Sequence, residues 1–138
     1  MKIKLIITIL LTSGICFAIK PLKSYTKAEC MKLIALQESG DNAKPNRNMA
    51  LHKDGVSYGR YGVTYRAVAE LKRTFYIPKG VVYNLTNEWE SRKAGRLYLE
   101  YCKDRFRCSW FEAIGYYHSF TKAKREKYLT EIKKSIKL

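Results

Sequence analysis

Apolar residues recur at three- and four-residue intervals in five stretches of this chain, and nowhere alternate long enough to specify a sheet of any size. In the first stretch Met31, Ile34, Ala35 and Glu38 fall on one face, between a capping box at Thr26-Lys27-Ala28-Glu29 and a stop at Gly40. The second, Tyr65 to Ile77, carries Val68, Leu71 and Phe75 at core spacing and ends at Pro78-Lys79-Gly80. A third begins near Thr86 or Asn87 and runs to about Tyr101, with Trp89, Ala94, Leu97, Tyr98 and Tyr101 facing inward. Ser109-Trp110-Phe111-Glu112 is another capping box, opening a helix with Ala113, Ile114 and Tyr117 on one side. The last, from about Lys122 to Ile136, places Leu129, Ile132 and Ile136 on one stripe and lysines elsewhere. The expected class is mainly α, with at most a small β hairpin.

The segments between these helices add turns and aromatic residues. Ser39 to Val56 reads as a long loop, because Asp41-Asn42, Lys44-Pro45-Asn46 and Asp54-Gly55 are turn-formers. A loop of that length inside a small domain is more often functional than idle, although His52 and Asp54 within it read as solvated. In Ser57-Tyr58-Gly59-Arg60-Tyr61-Gly62-Val63, two glycines three apart are interleaved with tyrosines. The glycines suggest backbone packed close to a neighbour. The tyrosine rings suit either stacking on sugars or filling a small core.

At 138 residues and 46% hydrophobic, the chain suits one compact domain behind a short leader. Lys2 and Lys4 precede an apolar run from Leu5 to Phe17, and Cys16-Phe17-Ala18 puts small residues where a signal peptidase cuts. Residues 1–18 are therefore expected to be a cleaved signal peptide, and 19–138 the domain it exports to the periplasm, the cell envelope or the medium. The net charge of +15 favours a polyanionic partner such as nucleic acid, anionic lipid or an acidic wall polymer. Of 27 bases, two leave with the leader, so 25 face 12 acids and the domain keeps +13. Export argues against an intracellular nucleic acid. It also permits a disulfide, either Cys102–Cys108 or Cys30–Cys102, with one thiol left over. Two histidines and no paired Cys motif argue against structural zinc, and no cofactor is implied.

Among the titratable residues Glu38 stands apart. It sits on an otherwise apolar face at the last turn of its helix, where the dipole and poor solvation are both expected to favour a retained proton. A general acid needs that state, although these residues alone fit equally a frayed last turn whose Glu points to water.

Four segments, in this order, resemble the lysozyme-like domain of lytic transglycosylases, the soluble lytic transglycosylase family. Glu38-Ser39-Gly40 is similar to the family's catalytic Glu-Ser-Gly at the end of its first core helix. Gly59-Arg60-Tyr61-Gly62-Val63-Thr64-Tyr65 stands where the family carries Gly-Ala-x-Gly-Leu-Met-Gln. Gly95-Arg96-Leu97-Tyr98-Leu99 is similar to its Gly-x-x-Tyr-Leu segment, and Ala113-Ile114-Gly115-Tyr116-Tyr117-His118-Ser119 to its Ala-x-x-Ala-Tyr-Asn-x-Gly. The Tyr-His-Ser form resembles the small transglycosylases that accompany envelope-spanning secretion machines. The family glutamine is replaced by Thr64 or Tyr65, its asparagine four residues before Gly95 by Ser91, and the asparagine after its tyrosine by His118.

The resemblance implies a goose-type lysozyme-like helical domain that acts as a monomer on peptidoglycan glycan strands. It implies cleavage of the β-1,4 bond between N-acetylmuramic acid and N-acetylglucosamine, with Glu38 first as acid and then as base. Most glycosidases use two carboxylates, whereas Asp41 and Asp54 are the only acids between Glu38 and Glu70. The resembled family resolves this with one acid: the substrate's N-acetyl group assists departure, and the 6-hydroxyl of muramic acid closes a 1,6-anhydro ring. Tyr117 is then expected to hydrogen-bond or position Glu38. Ser57, Tyr58, Tyr61, Gly62, Val63, Tyr117 and His118 are expected to contact the glycan. The alternatives are a hydrolytic lysozyme using Asp41 or Asp54, a catalytically silent peptidoglycan-binding or secretion-accessory protein, and a cationic toxin acting through Lys122–Leu138.

Overall fold

The computed structural model describes residues 23–40 and 54–136. The expected leader, Asp41, His52 and most of the Ser39–Val56 loop lie outside these residues. In chain order the elements are α1 (Lys27–Ser39), β1 (Ser57–Tyr58), β2 (Val63–Thr64), α2 (Tyr65–Arg73), α3 (Glu88–Phe106), α4 (Trp110–His118) and α5 (Lys122–Ile136). The described protein is thus mainly α with one small antiparallel hairpin, in which Ser57 pairs with Thr64 and Tyr58 with Val63.

Local sequence sets the helix ends. The Thr26 hydroxyl accepts from the Glu29 N–H while the Glu29 carboxylate accepts from the Thr26 N–H, and Ser109 and Glu112 repeat this reciprocal pair. Asn87 caps α3 through the Glu90 N–H, and Thr64 ends β2 and caps α2 through the Ala67 N–H. Gly40 closes α1 in the left-handed conformation at φ 70°.

Helix α4 is the hub, packed against α1, α3 and α5, while α2 and the hairpin lean on α3. Ile34, Leu71, Leu99, Ile114 and Ile132 supply one fully buried side chain from each helix, and Leu85 adds one from the α2–α3 connection. Gly95 lets the hairpin and α4 approach α3 closely: a Cβ there would meet Val63 Cγ2 at 3.1 Å and the Tyr117 hydroxyl at 3.2 Å.

Three expected core positions are exposed. Helix α2 stops at Arg73, and Phe75 takes a left-handed φ of 58°, which turns its ring out and leaves Ile77 to fill the core. The Tyr76 N–H returns to the Leu71 carbonyl and the Phe75 N–H to that of Lys72, so the turn closes α2 without a glycine. Trp89 lies on the outer side of the first turn of α3, whose inner face there is Ser91; the buried Ser91 hydroxyl has no hydrogen-bond partner among the described residues. On α5 the inward stripe is Tyr128 and Ile132, with Leu129 at its margin and Ile136 outside.

Neither expected disulfide forms. Cys30 and Cys102 are fully buried thiols on α1 and α3, and Cys108 is a half-buried one after α3. Burial pushes the Cys30 thiol up to about 12, with the Glu29 charge adding, and raises Cys102 as well.

Candidate active site

Glu38 leaves the last turn of α1 with its side chain only 20% exposed. Its carboxyl lies against the second glycine of the hairpin loop. Gly59 and Gly62 both take positive φ, 68° and 57°, and the Gly62 N–H donates to the Gly59 carbonyl at 3.2 Å, tightening the turn. A Cβ on Gly62 would stand 2.6 Å from Glu38 Oε2, so only glycine lets this acid occupy its position.

The other carboxyl oxygen is held by α5. The Tyr128 hydroxyl donates to Glu38 Oε1 at 2.5 Å, the sole donor to this carboxyl among the described residues. His118, the last residue of α4, stacks face to face on the Tyr128 ring at 4.0 Å with 6° between planes. Its Nδ1 stands 3.9 Å from Glu38 Oε1, too far for a hydrogen bond but close enough to form an ion pair once the imidazole is protonated. Burial raises the Tyr128 phenol well above its usual range, and the charge of Glu38 and their hydrogen bond raise it further. Tyr128 is therefore a fixed proton donor to Glu38 across the neutral range.

Tyr117 makes no direct hydrogen bond to Glu38, and at 8% exposure its ring is not open to a glycan. Its buried hydroxyl donates instead to the Tyr61 carbonyl at 2.8 Å. Burial raises this phenol, and the Glu38 charge is the next cause. By tying α4 to the residue before Gly62, Tyr117 supports the turn on which Glu38 rests.

A cavity of about 380 Å³ opens over the acid. Gln37 and Glu38 line it from α1, His118 from α4, and Lys124, Lys127, Tyr128 and Glu131 from one face of α5. Of the expected glycan contacts, Gly62 and His118 gather around Glu38. Tyr61 and Val63 turn their side chains into the core, at 7% and 2% exposure, and Ser57, at 8%, is buried against Asp54. Tyr58 is half-buried, edge-on to Tyr65 at 5.3 Å. Ser57, Tyr61 and Val63 thus scaffold the hairpin beneath the acid rather than present side chains to a ligand. Asp54 braces the same hairpin, its carboxylate accepting from the Val56 N–H, the Ser57 N–H and the Ser57 hydroxyl.

Helix α5 contributes what was not anticipated. Tyr128 lies four residues before Ile132, a helical spacing available in the sequence, but the neighbouring Leu129 is the more conspicuous apolar residue. Glu131 follows on the same face and brings a second carboxylate to the cavity, one oxygen of which accepts from Gln37 Nε2 at 3.4 Å. Among the described residues, no group of three His, Cys, Asp or Glu could hold a metal ion, and no helix is long and apolar enough to cross a membrane.

Comparisons of the chain with protein-family models, with curated proteins and with solved structures give no match.

Proposed function

We propose that this protein is an exported peptidoglycan-cleaving enzyme with a lysozyme-like helical fold, acting on the β-1,4 bond between N-acetylmuramic acid and N-acetylglucosamine. The observation that carries the reading is the setting of Glu38. One carboxyl is pressed against a glycine turn, gripped by a buried tyrosine hydroxyl and open to a cavity on its remaining side. The motif order along the chain and the excess of basic residues support the same substrate, whose stem peptides and attached polymers are anionic.

In this mechanism Tyr128 occupies Oε1 and fixes the carboxyl plane, leaving Oε2 to carry the reacting proton. Glu38 protonates the glycosidic oxygen, and the substrate's N-acetyl oxygen bonds to the anomeric carbon as that bond breaks. The carboxylate so formed then removes the proton from the muramic acid 6-hydroxyl, whose oxygen displaces the N-acetyl group and closes a 1,6-anhydro ring. No water is consumed, and the acid returns to its starting state.

A hydrolytic outcome has one observation in its favour, the carboxylate of Glu131 in the cavity of Glu38. An inverting glycosidase would use such a second group to activate water. Mass spectrometry of a digest of purified sacculi separates the readings. Anhydro-muropeptides are expected from the wild type and none from Glu38→Gln, which keeps the shape and removes the proton. Reducing-end products would establish hydrolysis, and products from Glu38→Gln would sink the assignment altogether.

A further inference from the structure

The face of α5 that grips the acid also presents two cations. Lys124, Lys127, Tyr128 and Glu131 fall at i, i+3, i+4 and i+7, so one side of one helix lines the cavity throughout. At a rise of about 1.5 Å per residue, Lys124 lies roughly 6 Å along the axis from Tyr128 toward the N-terminus, and Glu131 roughly 4.5 Å the other way. The cavity is therefore bipolar, cationic at one end and acidic at the other, with Glu38 between.

Of the other cations of α5, Lys134 is exposed outside the cavity lining and the remaining three are engaged elsewhere. Lys122 pairs with Glu126 at 3.8 Å, Arg125 covers the Tyr116 ring and donates to the Phe120 carbonyl, and Lys133 stands over Phe111. Glu131, the remaining acid of the lining, is engaged by Gln37. Among the described residues, Lys124 and Lys127 have no anionic partner.

We infer that Lys124 and Lys127 form a carboxylate subsite that recognises the acidic substituent of the muramic acid at the cleaved bond. This rests on the peptidoglycan reading above and deepens it. Muramic acid differs from its neighbour by a 3-O-lactyl group, which either ends in a free carboxylate or continues into a stem peptide bearing several. A sugar placed with its glycosidic oxygen at Glu38 would carry that substituent within the reach of a lysine side chain. The two cations then select the sugar and set the register of the strand, so that the bond offered to Glu38 is the one next to muramic acid. Two ammonium groups partly screened by solvent suit reversible capture of a flexible carboxylate better than one deeply buried pair would.

The test measures binding in the Glu38→Gln background, so that turnover does not erase the signal. Sedimentation with intact sacculi compares this parent with versions also carrying Lys124→Ala and Lys127→Ala. A charge-matched control carries Lys32→Ala and Lys134→Ala, exposed residues outside the cavity lining. The cavity pair should weaken binding about tenfold more than the control and flatten its salt dependence. On sacculi whose carboxylates are capped as methylamides, the two pairs should become indistinguishable. Amidase-stripped glycan keeps only the lactyl carboxylate: a surviving difference there assigns the subsite to that group, and a lost one assigns it to the stem. Equal weakening by control and cavity pairs on intact sacculi would reduce the lysines to diffuse positive charge and overturn the inference alone. A parent that ignores sacculi would overturn the peptidoglycan reading along with it.

Discussion

Tyr128 and Glu38 lie 90 residues apart in the chain and meet at 2.5 Å, hydroxyl to carboxyl, tying the last helix to the end of the first. The tyrosine is 5% exposed and backed by the stacked ring of His118, so it has one geometry to offer. Tyr128→Phe keeps the ring, its packing and the His118 stack, and removes only the grip on Oε1. Turnover on sacculi should fall roughly ten- to hundredfold, with KM little changed, because the acid is no longer held in plane. The melting temperature should fall by no more than a few degrees, since the loss of one hydrogen bond costs about 1 kcal/mol. Unchanged kcat would remove Tyr128 from the mechanism.

Gly62 meets the same carboxyl from the other side. Gly62→Ala combines a left-handed backbone penalty of roughly 1 kcal/mol with a methyl 2.6 Å from Oε2. Gly55 provides the control, because its φ is also positive, at 73°, and nothing lies within 4 Å of its added Cβ. Both alanine variants should lose stability in a thermal melt, Gly62→Ala at least as much as Gly55→Ala because it adds the clash to the backbone penalty. Only Gly62→Ala should lose activity, by about a hundredfold, as Glu38 shifts to make room. Equal activity in the two variants would show that the close approach at Gly62 has no catalytic role.

Tyr117→Phe separates support from chemistry. The substitution leaves the Tyr61 carbonyl without its buried donor at a cost of about 1–3 kcal/mol. For a domain of this size that amounts to several degrees in Tm. The activity measured well below the melt should fall less than in Tyr128→Phe, because Tyr117 reaches the acid only through the turn. The reverse order would restore Tyr117 as the residue that acts directly on Glu38.

What the sequence disclosed was local. Both capping boxes, the Gly40 stop and the hairpin around two positive-φ glycines are short-range signals, and all are present in the fold. Phe75 and Trp89 were misplaced because periodicity records spacing without recording where a helix stops or which arc of it faces inward. The position of Glu38 at a helix end was legible, while its half-buried setting was not distinguished there from a frayed, solvated last turn. Its partners were not legible: Tyr128 and Glu131 come to Glu38 only through the packing of α5 against α4 and the first helix, a relation no window of neighbouring residues contains. Tyr58 and Tyr61 were ambiguous for the converse reason, since an aromatic ring reads alike whether it stacks on a sugar or fills the core under one.

Glu70 contributes to the acid sensitivity of the fold, beside the capping carboxylates Glu29 and Glu112, which their Thr26 and Ser109 partners also hold below the ordinary value. From α2 Glu70 accepts from Arg73 through two bonds of 2.8 Å and from the Tyr101 hydroxyl of α3 at 2.6 Å, with Arg105 at 3.5 Å. The Arg73 hydrogen bond, then that of Tyr101, hold its carboxyl at about 2, against an ordinary 4.5. A depressed folded value means that the unfolded chain binds the proton first. The stabilisation is therefore complete above about pH 4.5 and is lost as pH falls toward 2. The full shift would correspond to about 3 kcal/mol, and solvent screening of the exposed Arg73 reduces this to on the order of 1–2 kcal/mol. Glu70→Gln should accordingly lower the melting temperature at pH 7 by several degrees while narrowing its gap from the wild type at pH 2.5. Because the α2–α3 tie lies outside the cavity lining, the variant should digest sacculi at the wild-type rate at a temperature where both are folded. A gap that stays constant from pH 7 to pH 2.5 would show that the Arg73 and Tyr101 contacts contribute nothing through the charge of Glu70.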